Sequence, residues 1–179
     1  MAIVPIRKFP DPVLQQAALP VEKITDATRR LIDDMVETMY AAPGVGLAAS
    51  QVGVSERIIV LDTDHENPGH HLIKLINPAI RRIGGEIIWE EGCLSVLDFT
   101  AEVKRAAWAE VVGLNEKGEE ITIEGEGLLA VALQHEIDHL DGVLFIDRIS
   151  RLKRDLYKRR LKKRLREGRT EPENPHVMI

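Results

Sequence analysis

The chain has one cysteine, Cys93, in 179 residues, and its longest unbroken apolar run is Leu128 to Leu133. A lone cysteine excludes an internal disulfide and fits a reducing, cytosolic compartment. The apolar run falls far short of the roughly 20 residues that cross a bilayer, so no membrane partner is expected. The opening stretch "MAIVPIRKFPDP" holds no long apolar segment, which argues against a secretory signal or an amphipathic transit peptide. There is no internal repeat, so the chain does not read as a solenoid.

What is present fits one soluble globular domain with an appendage: 44% of residues are hydrophobic and 30% charged. The net charge of −5 hides an asymmetry. Residues 148–169 carry 12 of the 24 basic side chains against only Asp155 and Glu167 among the 29 acidic ones. An acidic body with a basic C-terminal segment implies two jobs, or one job at a polyanionic location.

The periodicity predicts a short helix after Asp11, with Pro12 at its first position. A stronger helix is expected over 25–42, capped by Thr25 or Asp26, with Ala27, Leu31, Met35, Val36 and Met39 at helical spacing. The glycine-rich "GVGLAASQVG" reads as an extended loop. Strand signals follow in "RIIVLD" (57–62), "HLIKLIN" (71–77), "EIIWE" (86–90), "AWAEVVGL" (107–114) and "EEITIEG" (119–125), with "NEKG" (115–118) as a hairpin turn. Helical spacing returns from Gly127 to about Asp141, where Gly142 is the stop. Ser150 caps a last helix over 151–167, in which Leu152, Leu156, Leu161 and Leu165 form a narrow apolar stripe among cations, by which a solvated helix would dock. The tail "TEPENPHVMI" is polar with two prolines and reads as loose. This order is that of an α+β fold rather than a repeating βαβ one.

The chemistry concentrates in "HEIDH". His135 and His139 stand four apart, so on a helix both imidazoles can reach one ion. Glu136 lies about 100° round from His135, close enough to address a water there. The apolar run before the motif implies a buried helix, where two histidines, a glutamate and Asp138 are costly unless they bind something. A third ligand is needed. The zinc-peptidase continuation His-x-x-Gly-x-x-His keeps Gly142 but meets Phe145 where histidine is required. Glu167, Glu171 and Glu173 lie in or beyond the basic segment, on no convincing buried helix. His65, His70, His71 and His176 stay open but have no supporting context in loop, strand start or tail. Cys93, in "EEGCLS" after a strand-like segment, would alone read as a small buried hydrophobe. Beside an incomplete two-histidine site it becomes the favoured ligand, and one thiolate with two imidazoles leaves a fourth position open for catalysis.

Three ordered motifs make the chain resemble the peptide deformylases, which remove the N-formyl group from nascent polypeptides. "GVGLAASQ" (44–51) is similar to the family's Gly-x-Gly-Leu-Ala-Ala-x-Gln, "EGCLS" (91–95) to Glu-Gly-Cys-Leu-Ser, and "QHEIDHLDG" (134–142) to Gln-His-Glu-x-Asp-His-Leu-x-Gly. The resemblance runs from about residue 2 to about 150. It implies antiparallel or mixed sheets around a central helix carrying the histidine motif, plus a C-terminal helix. The corresponding division is 1–150 catalytic, 151–168 basic helix and 169–179 flexible tail.

It also implies roles. Cys93, His135 and His139 hold one divalent ion per chain, Fe2+ first, with Zn2+, Ni2+ or Co2+ as substitutes. Glu136 moves the proton, while Gln51 and the backbone N–H of Leu94 donate to the oxyanion. Val45, Gly46 and Gly92 pair with the substrate main chain, and Glu91, counted with the substrate-binding loop, meets Arg105. A methionine pocket would be walled by Leu128, Val131 and Ala132, which share the face of His135, with Val45 and Trp89 opposite. The expected partners are formyl-Met nascent peptides and, through the basic helix, ribosomal RNA. There is one departure: where the family usually has Pro-Gly and then Gly, this chain has Leu97, Asp98, Phe99, Thr100 and Ala101. A differently shaped loop at the site entrance is expected there.

Overall fold

The computed structural model describes residues 2–64 and 66–170. Asp11 accepts the Val13 N–H at 3.0 Å and opens a short 3-10 turn over Pro12–Gln15. The first helix, α1 (Asp26–Ala41), is capped at Thr25, which exchanges hydrogen bonds with Thr28. The strands β1 (Gly46–Ala48), β2 (Ile58–Leu61), β3 (Ile73–Gly84), β4 (Ile87–Cys93), β5 (Val96–Arg105), β6 (Trp108–Leu114) and β7 (Glu120–Glu126) come next. The helices α2 (Gly127–Leu140) and α3 (Arg151–Arg166) complete the described chain. The order is α+β, as expected.

Five strands pair in the order β1-β2-β3-β6-β7, all antiparallel, and β4 pairs with β5 in a separate hairpin. The apolar run of β2 explains the layering. Ile59 and Leu61 belong to the core shared with Val131, Leu133 and Leu140 of α2, while Ile58 and Val60 pack with Ile32, Met35 and Met39 of α1. Successive side chains of a strand point to opposite faces, so a strand covered on both sides reads as an unbroken apolar run. The sheet thus sits between α1 and α2. Residues 130–140 of α2 are all buried. The helix ends at Gly142, whose φ is +73° and where a Cβ would lie 2.9 Å from the Gln15 backbone. Only glycine meets both demands.

Four expectations change. "GVGLAASQVG" is not a loop: Gly46, Leu47 and Ala48 form a strand opposite Leu61, Val60 and Ile59, followed by a 3-10 turn over Ala49–Val52. Glycine and alanine carry little strand propensity, so only pairing with β2 specifies it. β3 runs to Gly84, through Pro78 and exposed Ile80 and Ile83, past two register shifts against β6. In α1, Ile32 rather than Leu31 or Val36 is the fully buried residue beside Met35 and Met39.

The fourth concerns α3. Ser150 caps it, accepting the Lys153 N–H at 3.3 Å. Of the leucine stripe only Leu161 docks, for Leu152, Leu156 and Leu165 are exposed. Tyr157 and Leu161, four apart, are buried with Phe9, Leu14 and Phe145. The expected loose tail lies outside the described residues from 171 onward.

Candidate metal centre

Cys93 ends β4 and enters the tight turn to β5, where it faces Val96 across the hairpin. His135 and His139 lie two-thirds of the way along α2 and beyond. The sulfur and one ring nitrogen from each histidine all fall within 4.8 Å of one another, and all three residues are buried. Cys93 Sγ is 3.2 Å from His139 Nε2, and the two rings meet edge to face at 4.9 Å. His135 Nε2 is buried and has no hydrogen-bond partner within the protein. A buried, unpaired imidazole nitrogen aimed at a thiol and a second imidazole is costly by itself. It fits a soft divalent cation, so this donor set matches a metal.

The other side of His135 is fully engaged. Its Nδ1 lies 2.8 Å from Glu91 Oε2, which sets the tautomer that leaves Nε2 free. Glu91 in turn receives two hydrogen bonds from Arg105, at 2.6 and 2.9 Å. Arg105 also donates to Asp138 at 2.6 Å, and Asp138 is clasped by Arg148. Two carboxylates thus face two guanidiniums beneath the site. Burial alone would raise the Glu91 carboxyl, but the Arg105 and His135 contacts hold it down at about 2. His135 is pushed up to about 10: burial opposes the imidazolium, and contact with the Cys93 sulfur and Glu91 outweighs it. His139 goes well below the ordinary range through burial and the neighbouring His135 charge. Cys93 and Glu91 thus favour positive charge between the thiol and the imidazoles, where a cation would sit.

Glu136 points elsewhere. Its carboxylate is fully buried, neither oxygen has a protein partner, and burial pushes it up to about 7. A methyl group added at Gly46 would lie 2.5 Å from Glu136 Oε1, so β1 runs directly over this carboxylate. Gln51 is buried as well. Its Oε1 accepts the Ala48 N–H at 2.8 Å, which turns its Nε2 toward Ser95 Oγ at 3.1 Å and Cys93 Sγ at 3.7 Å. Leu94 occupies the β4–β5 turn beside Cys93, and its carbonyl accepts from Lys8. Val45, Val131 and Ala132 are buried in one apolar cluster, against which Trp89 and Leu128 pack half-buried.

The structure thus brings together Cys93, His135, His139, Glu136, Gln51, Leu94 and Gly46. The Glu91 carboxylate is turned to His135 and Arg105, while its neighbour Gly92 is buried in the same strand end. Phe145, the residue that replaced a possible histidine, stacks near the His135 ring at 6.2 Å. His70 and His71 are exposed, and His65, His176, Glu171 and Glu173 lie outside the described residues. Sequence reasoning missed Gln134, which receives the Ala106 N–H and donates to the Ala106 and Ala130 carbonyls, pinning α2 to the β5–β6 connection. An amide in an otherwise buried run was the available signal.

The departure at residues 97–101 is part of β5. Asp98 adopts φ +47°, a conformation Asp tolerates better than most residues, and its carboxylate contacts Arg164 of α3. Phe99 packs on Phe145 and Tyr157 at 5.9 and 4.6 Å. The altered segment joins the hairpin to the C-terminal helix.

The sequence profile of the polypeptide deformylases matches residues 3–155. A peptide deformylase of Syntrophobacter fumaroxidans is 56% identical over 168 residues, covering 94% of this chain and 99% of that one. The fold is similar to the crystal structure of a peptide deformylase from Legionella pneumophila, with a TM-score of 0.86, 45% identity, and coverage of 96% and 100%. It is equally similar, at 40% identity and coverage of 93% and 99%, to the peptide deformylase of Ehrlichia chaffeensis in complex with actinonin.

A folded-state value of about 2 for Glu91, against an ordinary 4.5, means that its ionised form stabilises the fold above pH 4.5 and ceases to do so as pH falls toward 2. Glu91→Gln is therefore expected to be less stable than wild type at neutral pH. In urea titrations that gap should shrink by about 3 kcal/mol between pH 4.5 and 2. A gap independent of pH contradicts the assignment.

Proposed function

This chain belongs to the peptide deformylase family, and on that premise we propose that Cys93, His135 and His139 hold one divalent ion beside Glu136. The enzyme removes the N-formyl group from the N-terminal formylmethionine of newly synthesised polypeptides and releases formate. The observation that carries the site assignment is the convergence of a thiol and two imidazoles next to a buried carboxylate with no partner.

When bound there, a divalent ion acidifies water and polarises the formyl oxygen. The chain's own residues do the rest. Glu136, raised toward neutrality by burial, takes the proton of the attacking water and passes it to the departing α-amine. Negative charge developing on the formyl oxygen is met by Gln51 Nε2, held in orientation by Ala48, and by the Leu94 N–H. β1 is an edge strand, so Val45 and Gly46 can pair with an extended peptide, with Gly92 on the opposite wall. Val45, Trp89, Leu128, Val131 and Ala132 offer the apolar surface for a methionine side chain. Glu91 acts through His135, as a positioning residue.

We assign Fe2+ as the working metal, with Zn2+, Ni2+ or Co2+ able to substitute. Thiolate and imidazole ligands accept all four, and a ferrous site beside a thiolate is oxygen-sensitive. No helix among the described residues is long and apolar enough to cross a membrane, in keeping with the cytoplasmic location we propose. The exposed cations of α3 suit phosphate contacts on ribosomal RNA. Deleting α3 would uncover Phe9, Leu14 and Phe145, so charge reversal is the cleaner probe.

Two outcomes test these assignments. Protein purified without oxygen should release formate from a formyl-Met peptide. Glu136→Ala should retain its metal by elemental analysis yet lose turnover by at least about 100-fold; full activity in that variant excludes Glu136 as the proton carrier. Reversing Lys153, Arg159 and Lys163 to Glu should leave turnover of a short peptide unchanged and weaken ribosome co-sedimentation, with a shallower salt dependence. Unaltered co-sedimentation rules out the α3 contact.

A further inference from the structure

The connection between β2 and β3 carries a second group of metal-ligating side chains, remote in sequence from the deformylase centre. Asp64, His70 and His71 each offer a ligand atom within 4.8 Å of the others. Each histidine places Nδ1 3.8 Å from the same oxygen, Asp64 Oδ2, and the two rings lie 4.5 Å apart. Sequence reading left these histidines with no role.

We propose that Asp64, His70 and His71 form a second divalent-metal site, selective for a first-row transition ion such as zinc, nickel or copper. Two imidazoles and one carboxylate suit these ions, whereas magnesium and calcium prefer oxygen-only shells. Ligands on one such ion, each at about 2.0–2.2 Å, lie closer together than 3.8 Å. The histidine side chains are 70% and 60% exposed, so both rings can close the remaining distance without disturbing the core. The carboxylate is the fixed member, with a side chain only 21% exposed.

The alternative is a pair of solvent-facing histidines beside an aspartate. Neutral imidazoles have little attraction for one another, and a surface contact at 3.8 Å is weak and screened. Asp64 Oδ2, which also accepts from Asn67 Nδ2 at 3.3 Å, gathers both imidazoles at 3.8 Å, a grouping better matched by a cation. The site also has a structural consequence. The connection leaves β2 at Asp62, whose N–H donates to the Val45 carbonyl at 2.8 Å, next to the strand that covers Glu136. Asp62 is itself held by Tyr40 and by the N–H groups of Asp64 and Gly69. An ion on Asp64, His70 and His71 links the first half of the connection to the start of β3 and braces this flank of β1.

Equilibrium dialysis of the metal-loaded enzyme against micromolar zinc, read by elemental analysis, tests the assignment. Wild type is expected to hold two equivalents per chain, and the double variant His70→Asn/His71→Asn one. Asp64→Asn should weaken the second equivalent by roughly tenfold or more. Copper titrated into the zinc-loaded wild type should give, apart from any thiolate-ligated copper at Cys93, a second electron paramagnetic resonance signal with coupling to two imidazole nitrogens, absent from the double variant and unaffected by excess magnesium. Equal zinc content in wild type and double variant overturns the proposal, as does a wild-type copper spectrum lacking that second signal.

Discussion

The arrangement rests on the buried contact between Glu91 and His135. A carboxylate placed at 0% exposure behind an imidazole would be prohibitive alone, and Arg105 makes it tolerable by donating twice to Glu91 and once to Asp138. The charge chain then joins three separate segments: the end of β4, the end of β5 and the middle of α2. Because α2 also carries His139, and β4 also ends in Cys93, fixing Glu91 against His135 fixes the relative position of all three ligands. The same hydrogen bond decides which nitrogen of His135 faces the thiol. Removing one member leaves an uncompensated charge in the core, which is why the network is all or nothing.

Pre-organisation extends outward from these contacts. Gln134 ties α2 to the β5–β6 connection through two hydrogen bonds with Ala106, which resist rotation of the helix and its histidines. Gln51 is turned by the Ala48 N–H before any substrate arrives. Glu136 is buried with no protein partner on either carboxylate oxygen, lodged under Gly46 where any larger residue would collide with it. A site whose donors are already aimed loses little to reorganisation during reaction. The segment at 97–101, where the chain departs from the usual family pattern, contributes on the opposite flank. Asp98 and Phe99 tie the β4–β5 hairpin to α3, so the basic helix is packed into the core beside Phe145, itself stacked near His135.

Much of this was legible in the sequence, and what was not has physical reasons. The helices were readable because caps and apolar spacing agree: Thr25 before α1, Ser150 before α3, Gly142 after α2. The histidine pair and Cys93 were readable because few residue types bind metal and the chain has one thiol. β5 escaped notice although Ala101, Val103 and Arg105 alternate inward, because a buried arginine stands where an apolar residue marks a strand. β1 was missed because two of its three residues, Gly46 and Ala48, have little strand preference, and in the sheet it pairs with β2 alone. The docking face of α3 was only partly legible, since beside Leu161 of the stripe it is Tyr157 that meets Phe99 and Phe9. The link from Asp138 to Arg148 and Arg105 is tertiary and has no sequence periodicity to betray it.

Glu91 sets His135 to present Nε2 toward Cys93 and His139. Nitrogen-15 NMR of the zinc-loaded protein, using long-range correlations within the imidazole rings, reads this directly. His135 is expected to carry its proton on Nδ1, with Nε2 showing the shift of a metal-bound nitrogen. A His135 bound through Nδ1, or a ring with no metal-shifted nitrogen, would contradict it.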